Sequence, residues 1–152
     1  MKLEGQVALV TGGSRSIGRA VALAFAREGA AVAVNYVSHA EEAQSAVREI
    51  EKQGRRALAV RADTSQRAQV QAMVDEVTTR LGPIDILVNN AGVQKRVFFL
   101  ELDEADWDWM LGVNLKGYFL VGQAVAARMK ARGRGKIINV SSEAAGFPAP
   151  RM

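Results

Sequence analysis

Residues 7–25, VALVTGGSRSIGRAVALAF, decide the fold. Four aliphatic residues, Val7 to Val10, read as a strand covered on both faces, and the pattern from Ile17 onward reads as a helix. Between them lies a glycine-rich turn. Gly12 and Gly13 let the chain turn sharply without a Cβ clash, and Gly18 lets the helix pack closely on the strand. Backbone N–H groups at the start of a helix, together with the positive end of its dipole, suit a pyrophosphate. The competing reading is a tight strand-to-helix turn whose serines cap the helix. Ser16 stands where such loops usually carry a second close-approach glycine.

Outward from this stretch, short apolar runs alternate with longer helical patterns. QVALV (6–10), AAVAVNY (30–36), RALAV (56–60), IDILV (84–88) and KIINV (136–140) read as strands, continuously apolar as in a parallel sheet with helices on both faces. Residues 17–27, 40–53, 65–81 and 104–132 carry apolar residues at i, i+3, i+4 and i+7, the helical spacing. Gly29, Gly54 and Gly82-Pro83 supply the stops. The series predicts an α/β fold: a doubly wound, Rossmann-type parallel sheet with right-handed crossovers. It also predicts a sheet incomplete on its C-terminal side, with KIINV left as an apolar edge strand lacking a covering helix. The 152 residues suit one dinucleotide-binding domain, residues 1–152.

Composition narrows the function classes. The chain has no cysteine and a single histidine, His39, which excludes disulfide frameworks and thiolate metal sites and makes a metal centre unexpected. No run approaches the roughly 18 apolar residues of a membrane span, and no signal-peptide core comes after Met1, so a cytoplasmic protein is expected. Net charge is +4, but the basic residues are interleaved with acids. The basic run RMKARGRGK (128–136) reads as a helix C-terminus, its cations facing the negative dipole end and Gly133 and Gly135 stopping the helix, rather than as a nucleic-acid patch. His39 is expected to face solvent near the start of the second helix.

The loop spacing is T-G-x-x-x-S-x-G, which resembles the T-G-x-x-x-G-x-G loop of the short-chain dehydrogenases/reductases. ADTS (62–65) after the third strand, NNAG (89–92) after the fourth and INVSS (138–142) closing the fifth match that family in order and place, and the resemblance runs from Leu3 to Pro150. TGGSRSIGRA is similar to the 3-oxoacyl-carrier-protein reductases of the family, whereas SSEAAGFPAP is similar to its glucose dehydrogenases, so the substrate stays open.

The resemblance implies a nicotinamide cofactor held by Gly12, Ser14, Arg15, Ser16, Ile17 and Gly18 of the loop, by Asn35 at the end of the second strand, by Asp63 and Thr64 at the adenine, and by Asn90, Ala91 and Gly92. At Ser16 the family has glycine; the hydroxymethyl either crowds the pyrophosphate or caps the helix and donates to phosphate. An acid about 20 positions past the loop would hold ribose hydroxyls and repel a 2′-phosphate. Asn35-Tyr36 stands there instead, and Arg15 occupies a loop position that contacts the 2′-phosphate in the family, so NADP(H) is favoured. Val37 and Ser38 at the family's other basic position keep NAD(H) as the alternative.

Ketone reduction needs a proton donor, a hydrogen bond to the carbonyl and a route that restores the proton. By resemblance Asn114 is the proton-relay asparagine and Ser142, with Ser141 as the alternative, the carbonyl-binding serine. The family's Tyr-x-x-x-Lys is absent: the residues four positions after Tyr36 and Tyr118 are Ala40 and Gly122. The expectation is therefore the N-terminal part of an oxidoreductase, inactive as these 152 residues alone. Its parent is expected to be a homo-oligomer, because helix 104–132 is apolar nearly all round and packs on a partner subunit in the family. A non-catalytic nucleotide-binding module is the competing reading.

Overall fold

The computed structural model describes residues 1–142, so SSEAAGFPAP beyond Ser142 lies outside the described residues. Strands β1 (Val7–Val10), β2 (Ala31–Tyr36), β3 (Ala57–Arg61), β4 (Ile86–Asn89) and β5 (Lys136–Asn139) form one sheet in the order β3-β2-β1-β4-β5. Every pairing is parallel, with Val10 beside both Val34 and Val88 in the centre. The connections are helices α1 (Ser16–Arg27), α2 (Ala40–Lys52) and α3 (Arg67–Arg80), then α4 (Glu104–Leu111) and α5 (Gly117–Ala131).

Alternation along the strands divides the core between the two sheet faces. Ala8, Val10, Val32, Val34, Ile86 and Val88 are buried with Ala22 and Ala26 of α1 and Ala43, Ala46 and Ile50 of α2. Leu9, Ala33, Leu58, Val60 and Leu87 are buried on the other face with α3 and α5, through Val70, Val74, Val77, Leu120, Val121 and Val125. This is the doubly wound arrangement expected of continuously apolar strands. The chain runs β1-β2-β3 to one side of β1, then places β4 on the other, so the strand order reverses between β1 and β4. Ligands of open α/β sheets bind outside the carboxyl ends of the strands at such a reversal.

β5 is an edge strand with every residue exposed, Ile137 and Ile138 included, and leaves the described sheet incomplete on that side. Asp85 anchors its entry. The buried Asp85 carboxylate accepts from Val7 N at 3.1 Å and meets Arg132 at 3.4 Å and Arg134 at 3.6 Å. Arg132 also donates to Ile84 O at 2.7 Å, so part of the basic run at the end of α5 serves the fold.

One expectation is corrected. Residues 104–132 are not one regular α-helix: Gly112–Lys116 between α4 and α5 is a π-helical segment. A π turn inserts one residue and re-aims the side chains of the next helical turns. Leu120, Val121 and Val125 then face the core, while Leu115 and Phe119 are 66% and 56% exposed. No helix among the described residues is long and apolar enough to cross a membrane.

Candidate functional site

A cleft opens at the carboxyl ends of β1, β2 and β4. It is lined by Gly12, Ser14 and Arg15 of the first loop, by Asn35 to His39, by Asp63 and Thr64, by Asn90 to Val93, and by Trp109 and Val113. Segments far apart in sequence therefore converge where the strand order reverses.

Polar side chains hold the floor of this cleft. The buried Thr11 hydroxyl donates to Val88 O at 3.3 Å and accepts from Asn90 N at 2.9 Å and Ala91 N at 3.0 Å, which fills its bonding capacity. Asn90 Nδ2 returns to Thr11 O at 3.0 Å and Gly12 O at 3.2 Å. The two loops are thereby stitched so tightly that a Cβ on Gly18 would stand 2.3 Å from Gly12 O and 2.6 Å from Asn90 Nδ2. Gly12 has φ +61°, and a Cβ there would meet Ala91 Cα at 2.9 Å. Gly18 thus serves the approach of helix to loop and to Asn90.

Asn35 is buried, with its Oδ1 accepting from Gly12 N at 3.2 Å and its Nδ2 donating to Ala62 O at 2.9 Å. It braces the turn from below. Asn90 has the same bracing part from the other side.

The start of α1 corrects the capping expectation for Ser16. The N-cap is Arg15, no side chain caps the helix, and the first turn carries no acid. Ser16 instead has φ +48°, in the left-handed region. The first-turn N–H groups of a helix have no intrahelical partners. Left without a side-chain cap here, one residue past the Gly12, Ser14 and Arg15 that line the cleft, they could receive a pyrophosphate. Ser14 is buried at the loop, whereas Ile17 is exposed on the first turn.

His39 does not simply face solvent. It is half-buried in the cleft, with Nε2 3.0 Å from Arg15 Nη1 and Nδ1 3.0 Å from Ser38 Oγ. Asp63 Oδ1 accepts from Ser65 N at 2.9 Å and Ser65 Oγ at 2.7 Å, and Thr64 is buried against Gly117, so both are held at the base of the cleft.

Asn114 lies in the π segment. Its Oδ1 accepts from Val93 N at 2.8 Å and its Nδ2 donates to Val93 O at 2.9 Å, so the amide clamps the loop after Gly92 and is not satisfied by its own helix. Lys95 supplies a second tether. It pairs with Asp106 of α4, and that hydrogen bond raises the Lys95 pKa above the usual lysine value. Ser142 is exposed just past β5, on the same carboxyl edge of the sheet.

Tyr118 donates to Val140 O at 3.0 Å, and burial raises its pKa above the ordinary tyrosine value. That makes it a tie between α5 and the end of β5. Thr11, His39, Trp109 and Val113 line or floor the cleft without having been expected there from sequence. Thr11 was legible as the first residue of the loop motif; the others carry no local signal.

Comparison with known proteins agrees with this geometry. The short chain dehydrogenase family model matches residues 6–152. The subunit BbsD of (2S)-[(R)-hydroxy(phenyl)methyl]succinyl-CoA dehydrogenase from Thauera aromatica is 42% identical over 144 residues, 95% of this chain and 58% of that protein. The 3-oxoacyl-[acyl-carrier-protein] reductase FabG of Staphylococcus aureus is 42% identical over 135 residues, covering 89% of this chain and 55% of the relative. The chain thus spans little more than half the length of these relatives. Among solved structures, an NAD+-bound xylitol dehydrogenase superposes with a TM-score of 0.93 at 33% identity, over 100% of this chain and 58% of that one. A short-chain dehydrogenase/reductase variant from Serratia marcescens gives 0.89 at 37% identity, over 99% and 61%. The glycine loop, the reversed strand order and these matches agree: the chain belongs to the short-chain dehydrogenase/reductase family of oxidoreductases.

Proposed function

We propose that residues 1–152 are one dinucleotide-binding unit of an enzyme that interconverts a ketone and an alcohol, with NADP(H) preferred over NAD(H). The observation that carries the cofactor preference is the end of β2. No acid stands there: Asn35 is buried and occupied by Gly12, and the Arg15 guanidinium lies beside the β2–α2 turn. A carboxylate at that point would repel a 2′-phosphate, whereas Arg15 attracts it. An NAD+-bound structure among the similar proteins makes this preference a matter for measurement.

In this reading Gly12, Ser14, Ser16, Ile17 and Gly18 surround the pyrophosphate, Asp63 and Thr64 meet the adenine, and Asn90, Ala91 and Gly92 line the nicotinamide side. The bound nicotinamide supplies or accepts the hydride. Asn114 positions the Val93 loop and belongs to the proton route, and Ser142 hydrogen-bonds the carbonyl oxygen. The 152 residues contain no Tyr-x-x-x-Lys, and lack of a positioned proton donor lowers turnover by a factor of about 10² to 10⁴.

The test is titration of the full-length protein with NADPH and NADH, then a carbonyl-reduction screen. Tighter NADPH binding, lost in Arg15→Ala, and reduction that vanishes in Ser142→Ala are expected. Equal affinity for the two cofactors overturns the preference. Tight binding without turnover on any carbonyl would favour a binding module instead.

A further inference from the structure

We propose that Tyr118 is a positioning residue for carbonyl reduction: its hydroxyl replaces a missing rung of the sheet and so fixes the segment that carries Ser142, a role that rests on the ketone–alcohol reading above. Val140 is where the β4–β5 ladder stops. Its N–H still donates to Asn89 O at 2.9 Å. In a parallel pair the next rung would run back the other way, here from Ala91 N to Val140 O. That N–H is already spent. It donates to the Thr11 hydroxyl at 3.0 Å, as the chain after Asn89 leaves β5 for the glycine loop. The Val140 carbonyl accepts instead from the Tyr118 hydroxyl at 3.0 Å.

The two branches of the chain part at this point, and one helical stretch holds both. Asn114 clamps the branch after β4 through both backbone groups of Val93, at 2.8 Å and 2.9 Å. Tyr118, on the same stretch, clamps the branch after β5. Just before the parting, the paired residues Asn89 and Asn139 are joined by their side chains, Nδ2 to Oδ1 at 2.9 Å, which fixes that rung in register. Ser142 follows Val140 by two residues, at most about 7 Å along the chain. A tie at Val140 therefore sets where the serine hydroxyl is delivered relative to Asn114.

The hydroxyl, not the ring, carries this role. A phenylalanine would fill the same space between α5 and β5 but leave the Val140 carbonyl without its donor, and the segment toward Ser142 without its tether. Placement of a group that meets the reacting atoms is strict, since a displacement of about 1 Å can cost about a hundredfold in rate. Among the described residues the cleft lining includes neither Tyr118 nor Val140, so cofactor binding should not register the change. Arg128 supplies the comparison. It ties the same helix to α3, through Val74 O at 3.2 Å and Thr78 Oγ1 at 3.0 Å, and so loosens α5 without touching Val140.

The experiment compares the full-length protein with its Tyr118→Phe, Arg128→Met and Ser142→Ala variants. Cofactor affinity and stoichiometry are measured by titration with NADPH and NADH, and kcat with ethyl acetoacetate, cyclohexanone and xylulose at saturating cofactor. Tyr118→Phe is expected to bind cofactor with unchanged stoichiometry and an affinity within about twofold, yet to lose about tenfold or more in kcat. Arg128→Met should melt earlier but keep kcat within about twofold. A fall in cofactor stoichiometry that matches the fall in kcat, which is what partial unfolding gives, overturns the proposal. So does an equal loss of kcat in Arg128→Met, which would make the effect a general loosening of α5. A wild-type protein that reduces none of the three carbonyls, or a Ser142→Ala variant as active as wild type, overturns the ketone–alcohol reading together with this role. Full activity in Tyr118→Phe beside an inactive Ser142→Ala overturns the role of Tyr118 alone.

Discussion

Ser16 holds φ +48° at the start of α1, a conformation in which its Cβ crowds the following carbonyl at a cost of roughly 1–2 kcal/mol. Glycine, which the family carries there, has no such penalty but loses more chain entropy on folding. Ser16→Gly should therefore stabilise the protein by about 0.5–1 kcal/mol net, seen as a thermal midpoint roughly 1–4 °C higher. If the hydroxyl donates to the pyrophosphate, the same variant binds NADPH more weakly; a gain in stability with unchanged affinity would assign Ser16 no contact with the cofactor. The departure from glycine was legible in the sequence, its backbone conformation was not. Serine is a favoured N-cap by local propensity, yet the N-cap here is Arg15 and Ser16 takes a left-handed backbone instead. His39 has the same lesson: nothing within a few residues of it announces Arg15, 24 positions earlier.

Among the elements, the break between α4 and α5 matters most. Periodicity over 104–132 reads as one helix because a single inserted residue hardly changes the spacing of apolar positions. Gly112 and Gly117 bound the π segment, and Gly117 packs where a Cβ would lie 2.9 Å from Thr64 Oγ1. The segment is also where Asn114 meets Val93, consistent with the tendency of π turns to mark functional positions.

One residue past Gly117, Tyr118 ties α5 to β5, and its burial gives a pH signature. Its folded-state pKa is raised, so the neutral phenol contributes stability that is present below the unfolded value of about 10 and is lost as pH rises through the higher folded value. Tyr118→Phe should cost about 1 kcal/mol near neutrality, through the lost bond to Val140 O. Denaturant titrations of both proteins should converge above pH 10. A gap that stays constant to high pH would contradict this.

For the molecule as a whole, the side away from the core is unusually apolar. Trp107, Leu111, Leu115 and Phe119 on the α4–α5 side and Ile138 on β5 are exposed. Scattered exposed apolar residues are ordinary, but a concentration on one helical stretch is a surface suited to burial against another. The homo-oligomer expected from the sequence would place a second copy of the chain against α4–α5. Phe119→Glu should shift the full-length protein toward monomer in sedimentation velocity, with the fold intact by circular dichroism; an unchanged oligomer would exclude that face.

The alternation of strands and helices, the parallel sheet and the place of the glycine loop are all written in local chemistry. Continuous apolar runs, helical spacing, and glycines at Gly29, Gly54 and Gly82 that end helices with positive φ are enough to specify them. Which polar groups are spent and which face the cleft was settled only when the sheet assembled. Asn35, Asn90 and Asn114 look alike as candidate ligands in a sequence, yet all three hold backbone groups 21 to 79 residues away. Hydrogen bonds of that reach exist only once the sheet has brought the loops together, and they leave Arg15, Ser38 and His39 side by side in the cleft.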